Sequence, residues 1–338
     1  MLSVAKSVKR RSICTSWEKL SLFFTKYEIR DTPHTPKRTS LTNPSTIFIN
    51  VCFNTLLALM ILAPVGLPSL AHSTEPLEVF VSILPQKFMV DQVGRDKVHV
   101  SVLVGPGQSP ATYEPTPKQM SRLQQASVYF RIGVPFEQEW MARLQSINPH
   151  MKVLDTWESV WQQDPSYVEK YAKHCQAAHD PHVWTSPPLV KMMARHIRET
   201  LAEWDPAHAQ EYEANNKQFA KDLDQLDADI RQILAPITNR EFMVFHPSWC
   251  YFAETYGLEQ ISIETEGKEP GPKTLARIIE RGKREGLKVI FVQPQFSRQT
   301  ARAIARAIGA TIVPVDPLAE NYLGNLRHVA KQFAEAMR

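Results

Sequence analysis

The chain has 338 residues, 43% hydrophobic and 22% charged, which is too long for one small core and suits two ordinary globular domains plus extensions. The formal net charge of +4 overstates the basicity of the folded part. Lys6, Lys9, Arg10, Arg11, Lys19, Lys26, Lys37 and Arg38 face few acids in the first forty residues, so the bias belongs to a targeting segment and makes no case for nucleic-acid binding.

Ile47 to Ala71 is an apolar run ending in small residues, with Lys37 and Arg38 as its positive flank and Ser69 and Ala71 spaced as in an A-x-A-like cleavage site. This predicts an export signal cleaved before His72, and hence an exported mature protein. The run is also long enough to serve as a membrane anchor, although Asn50, Asn54, Pro64 and Pro68 weaken that alternative. The residues ahead of Ile47 are either an extension or lie upstream of the true start. Cleavage leaves two cysteines, Cys175 and Cys250, which can pair in an oxidising compartment.

From Leu77 onward, strand and helix patterns alternate. "LEVFVSI" predicts a strand, "QKFMVDQVG" a short helix closed by Gly94, and "KVHVSVLV" a strand running into the loop "GPGQSPATYEPTP". A helix beginning near Pro117, the strand "ASVYFRIG", the helix "PFEQEWMARLQS" and the strand "MKVLD" follow. Thr156 to Thr185 reads as a long polar loop. Ser186-Pro187 then starts a helix with Val190, Met193, Ile197, Leu201 and Trp204 on one face.

Asp205-Pro206 starts another helix in the same way. Phe219, Leu223, Leu226, Ile230 and Leu234 recur at three- and four-residue steps, and Pro236 ends the run. A helix of about 30 residues is ~45 Å long and suited to bridging two domains. After it come the strands "FMVFH", "LEQISIE", "LKVIFVQ" and "TIVPVD" alternating with helices, one from Pro272 to about Arg284 and one closed by Gly309. The fold class expected is α/β: two doubly wound, Rossmann-like lobes with parallel sheets joined by one long helix. The boundaries expected are 1–71 for the extension and export signal, 72–205 for the first lobe, 206–236 for the bridging helix and 237–338 for the second lobe.

Ligands of open α/β sheets bind beyond the carboxyl ends of the strands. Four positions fall there or in adjoining loops: the loop from Gly105 to Pro117, His182 in "HDPHVW", His246 ending "FMVFH", and Asp316 ending "TIVPVD". Each has a structural alternative, a hydrogen-bonded histidine or a turn-forming aspartate. Together, imidazoles with a carboxylate at an inter-lobe cleft suit a first-row divalent ion, zinc above all.

In order, "SPATYEPTPKQM", "DPHVW", "FHPSWCYFAETYGL", "EPGPKTLARII", "VIFVQPQFS" and "GATIVPVDPL" resemble the zinc- and manganese-specific substrate-binding proteins of bacterial ABC transporters, over nearly the whole mature chain. The resemblance implies two α/β lobes bridged by a long helix and one metal ion captured between them. It implies delivery of that ion to an inner-membrane permease, with His182, His246 and Asp316 as ligands. His246 stands where zinc-type members carry histidine and manganese-type members glutamate, so zinc is expected, with manganese or iron as alternatives, in a monomeric, non-enzymatic receptor.

One departure stands out. The family's usual histidine in the first loop is replaced by Ala111. Water can complete the site, or another donor can: His179 as fourth ligand first, then His174, Glu114 or a cysteine thiolate. Otherwise the site serves a metal chelate, or an open two-histidine, one-carboxylate metalloenzyme. Gln293 and Gln295 are expected to support the ligands by hydrogen bonding.

Overall fold

The structure, a computed structural model, describes residues 75–163, 166, 175, 180–264, 270–296 and 298–337. The export segment, His174 and His179 lie outside the described residues.

Strands β1 (Leu77–Ile83), β2 (Val98–Val104), β3 (Val128–Arg131) and β4 (Lys152–Asp155) form a parallel sheet in the order β2-β1-β3-β4. Strands β5 (Glu241–Val244), β6 (Glu259–Ser262), β7 (Val289–Val292) and β8 (Thr311–Pro314) repeat the pattern as β6-β5-β7-β8. In each sheet the winding reverses between the first and third strands, and a crevice forms at their carboxyl ends. The strands read as unbroken apolar runs because helices cover both faces: Val79, Phe80 and Val81 are all buried, as are Phe242, Met243 and Val244.

The helices are α1 (Leu84–Gly94), α2 (Pro117–Leu123), α3 (Pro135–Ile147), α4 (Thr156–Gln163), α5 (Pro187–Trp204), α6 (Ala209–Leu234), α7 (Cys250–Tyr256), α8 (Pro272–Arg284), α9 (Gln299–Ile308) and α10 (Tyr322–Ala336). Gly257 and Gly309 end α7 and α9 in the left-handed conformation, where no Cβ opposes the turn. Gly94 works differently. It is the last residue of α1, the left-handed residue is Arg95 (φ 50), and a Cβ on Gly94 would lie 2.3 Å from Val98 Cγ2. Close approach to β2, rather than backbone handedness, demands glycine there.

Two expectations need correction. Thr156 to Thr185 is not all loop: α4 occupies its start, and Val183–Thr185 form a 3-10 turn. The polar composition of "TWESVWQQ" conceals an inward apolar face on which Val160 is fully buried. Trp204 was expected on the buried face of α5 but is 39% exposed, because it is the helix's last residue and lies beyond the core that covers Val190, Met193, Ile197 and Leu201. The long helix α6 has 26 residues, preceded by a 3-10 turn at Pro206–His208. It buries Phe219, Leu223, Leu226, Ile230 and Leu234 as its periodicity predicts.

Helix α6 packs on α1 and α5 from the first half of the chain and on α10 from the second. One hydrophobic core therefore runs from Val79 and Tyr129 through Phe219 to Phe242, Phe291 and Phe333, while a smaller cluster around Ile290 and Ile304 lies under α8 and α9.

Candidate metal site

The first loop is tied down at three points. Thr116 and Gln119 form a capping box at the start of α2, and Gln119 Nε2 donates to the Leu103 carbonyl at 2.8 Å. Tyr113 donates to Gln119 Oε1 at 2.6 Å and packs edge-on against Phe136. Phe136 N donates to the carbonyl of Pro110, the residue before Ala111, at 3.2 Å. The loop is held firmly, and at the position before Thr112 it presents an exposed methyl, Ala111, with the exposed carboxylate of Glu114 three residues on.

His182 sits just before the 3-10 turn that leads into α5. Asp180 Oδ1 accepts from the His182 backbone N at 2.9 Å and from its ring Nδ1 at 2.5 Å. The Asp180 carbonyl accepts from Trp157 Nε1 at 2.9 Å and from the Tyr251 hydroxyl at 2.5 Å, so both halves of the chain position the residue that orients His182.

His246 lies two residues beyond the end of β5. Gln293, at the end of neighbouring β7, clamps its backbone: Oε1 accepts from His246 N at 3.2 Å and Nε2 donates to its carbonyl at 2.7 Å. Phe296 stacks on the ring at 4.6 Å, and Nδ1 meets Glu264 Oε2 at 3.2 Å. Burial lowers the tendency of His246 to protonate, opposed by the Glu264 hydrogen bond and reinforced by nearby His182. Neutral imidazole is the form that binds metal.

The two rings lie 5.2 Å apart, centroid to centroid, nearly perpendicular. In both, a carboxylate holds Nδ1 as its N–H partner, which leaves the lone pair on Nε2. Asp316 belongs to the adjoining segment. Its Oδ1 accepts from Gln295 Nε2 and Leu318 N, both at 2.9 Å, and the carbonyl of the next residue, Pro317, accepts from Trp184 Nε1 at 2.8 Å. Tyr322 donates in turn to the Trp184 carbonyl at 2.7 Å. Side-chain-to-backbone bonds thus tie the His182 segment to the Asp316 segment. Among the described residues, however, no three His, Cys, Asp or Glu side chains converge closely enough to hold an ion. The two histidines are gathered; the Asp316 carboxylate is turned to Gln295 and Leu318.

Cys175 and Cys250 form a disulfide, with Cα atoms 5.8 Å apart. Their sulfurs are therefore not thiolate donors and do not replace the missing histidine. His179 and His174 lie outside the described residues. The residues that sequence reasoning missed are Asp180 and Glu264. Both left a signal: Asp180 is two residues before His182 in "DPH", and the parallel register Val244↔Ser262 carries His246 and Glu264 forward together, two steps past each strand.

The donor set fits a borderline-soft divalent ion. Both imidazoles are oriented by carboxylates, and Glu264, 2% exposed, keeps a buried Oε1 with no partner among the described residues. Fold and site together define a two-lobed α/β binding protein that presents nitrogen donors where its halves meet. More particularly, the chain belongs to the family of zinc-uptake complex component A, periplasmic, which it matches over residues 79–336.

A crystal structure of ZnuA superposes with a TM-score of 0.72 at 40% identity, over 78% of this chain and 100% of the other. A zinc-bound deletion mutant of ZnuA lacking 138–173 superposes with a TM-score of 0.71 at 41% identity, over 78% and 98%. The high-affinity zinc uptake system protein ZnuA of Bacillus subtilis is 28% identical over 245 residues, 70% of this chain and 76% of its own. No helix among the described residues is long and apolar enough to cross a membrane.

Proposed function

We propose that this chain is the zinc receptor of an ABC importer. It takes one ion on Nε2 of His182, Nε2 of His246 and the carboxylate of Asp316, and passes it to a permease in the inner membrane. It works as a periplasmic monomer freed by cleavage before His72, and it binds without turnover. The observation that carries this reading is the pair of imidazoles 5.2 Å apart, each with Nδ1 held by its own carboxylate. Imidazole favours zinc over manganese, whose preferred donors are oxygens.

Capture needs Asp316 to turn from Gln295 toward the histidines, a side-chain movement, while the shared core keeps the two halves together. That shared core and the packing of α6 on both halves support reading 72–205 and 237–338 as lobes bridged by 206–236. With alanine at position 111, the fourth coordination position falls to water or to His179.

A competitive zinc titration of the purified protein tests the proposal. Tight binding of one ion per chain, lost in His182→Ala and His246→Ala, is the expected result. Weak wild-type binding restored by Ala111→His overturns it, and favours a metal chelate that brings its own donor to the open position.

A further inference from the structure

The first sheet has its own switch-point crevice, between β1 and β3, and the protein fills it with a polar network. Ser82, Gln86, Tyr129, Glu137 and Thr156 are all buried there. Glu137 Oε1 accepts from the Ser82 hydroxyl and from Ile132 N, the latter at 2.9 Å, and Oε2 accepts from Gly133 N at 2.7 Å. Because Ser82 gives its proton to Glu137, Tyr129, 2.6 Å away, donates into Ser82. Gln86 closes the set, accepting from Ser82 N and donating to Phe130 O and Thr156 Oγ1.

This carboxylate is 2% exposed and plays no part in the metal site described above. Its two backbone partners, however, form the turn that leads into α3, and that turn together with the first residues of α3 touches the His182 segment and the Ala111 loop. Gly133 (φ +87) lies against Pro181, the neighbour of His182: a Cβ on Gly133 would be 3.7 Å from Pro181 Cβ. Phe136, one residue before Glu137, holds the Pro110 carbonyl beside Ala111. Turn, loop and His182 segment therefore share one anchor.

We propose that Glu137 is a positioning residue for metal capture: by pinning the Ile132–Gly133 turn it sets where His182 and the Ala111 loop stand relative to His246. The proposal rests on the zinc-receptor reading. Glu137→Gln puts an amide donor against either Ser82 and Ile132 N or Gly133 N, so one contact must open. The turn then relaxes and the His182 segment with it.

The test compares zinc affinity, by competition with a chelating dye, in the full-length protein, in Glu137→Gln, in Ser82→Ala as a milder break of the same network, and in Ile304→Ala. The last lies in the small cluster under α8 and α9 and supplies a loss of stability remote from the turn. The histidine ring resonances of each metal-free protein are recorded alongside. Affinity should fall on the order of tenfold in Glu137→Gln, the scale of outer-shell substitutions. It should fall less in Ser82→Ala and stay unchanged in Ile304→Ala, with the His182 resonance shifted only in the first two. Wild-type affinity and an unmoved His182 resonance in Ser82→Ala and in any folded Glu137→Gln would overturn the proposal, as would an equal loss in Ile304→Ala. A wild-type protein that binds no zinc would instead remove the receptor reading, a separate result.

Discussion

Glu264 holds His246 by its Nδ1 at 3.2 Å, from a buried position reached only because β5 and β6 run parallel and in register. The carboxylate fixes the ring's tautomer and orientation and raises the basicity of the opposite nitrogen. It does for the second lobe what Asp180 does for the first.

Glu264→Gln should therefore weaken zinc binding without removing a ligand. An amide oxygen still accepts from Nδ1–H but carries no full charge, and the loss expected is on the order of tenfold in affinity. Competitive titration beside His246→Ala distinguishes the two roles: the histidine variant should lose binding by a far larger factor, and equal losses would make Glu264 itself a ligand.

Ala111→His should tighten binding if the fourth position is open to water, since an imidazole on a loop already anchored through Thr116, Tyr113 and Pro110 is nearly preorganised. Zinc affinity above that of the wild type is the expected outcome. No gain would mean that another side chain already fills the position, and His179→Ala should then release the ion.

Reduction of the Cys175–Cys250 bridge should lower stability substantially. The bridge joins residues 75 apart, tying the segment ahead of Asp180 to the first residue of α7. Loop-closure entropy puts the effect at about 4 kcal/mol. Chemical denaturation with and without reductant, and of Cys175→Ser, measures it. Zinc affinity should fall as well, because Tyr251, next to Cys250, donates to the Asp180 carbonyl.

Stability should also depend on pH through Glu137. Burial raises its carboxyl from the ordinary 4.5 to about 7, against the pull of its hydrogen bonds from Ser82, Ile132 and Gly133 and of the Arg131 charge. Between those values the unfolded chain has released a proton that the folded protein retains, so stability falls as pH rises. Glu137 contributes no pH-dependent penalty below the ordinary range, and on the order of 3 kcal/mol of destabilisation once pH passes about 7. Wild type should lose stability relative to Glu137→Gln as pH rises across that window, measured by denaturant unfolding. A difference flat with pH would contradict the assignment.

Much of this was legible in the chain. Alternating apolar runs announced two parallel sheets, the three- and four-residue steps from Phe219 to Leu234 announced the long helix, and His246 fell at a strand end, where α/β sheets bind ligands, with His182 in the long loop of the first half. These features are local: burial on both faces of a strand or along one stripe of a helix writes itself into the spacing of apolar residues.

What the pattern does not contain is which distant groups meet. That Glu264 holds His246, that Asp180 is gripped by Tyr251 from the other half of the chain, that Glu137 fills the first crevice, and that Asp316 faces Gln295 are all outcomes of strand register and helix packing. Residue identity and spacing therefore proposed the donors, because side-chain chemistry is local. Their orientation was decided by the tertiary structure, because a hydrogen bond between residues far apart in the chain depends on how the sheets stack their ends, and no periodicity encodes that.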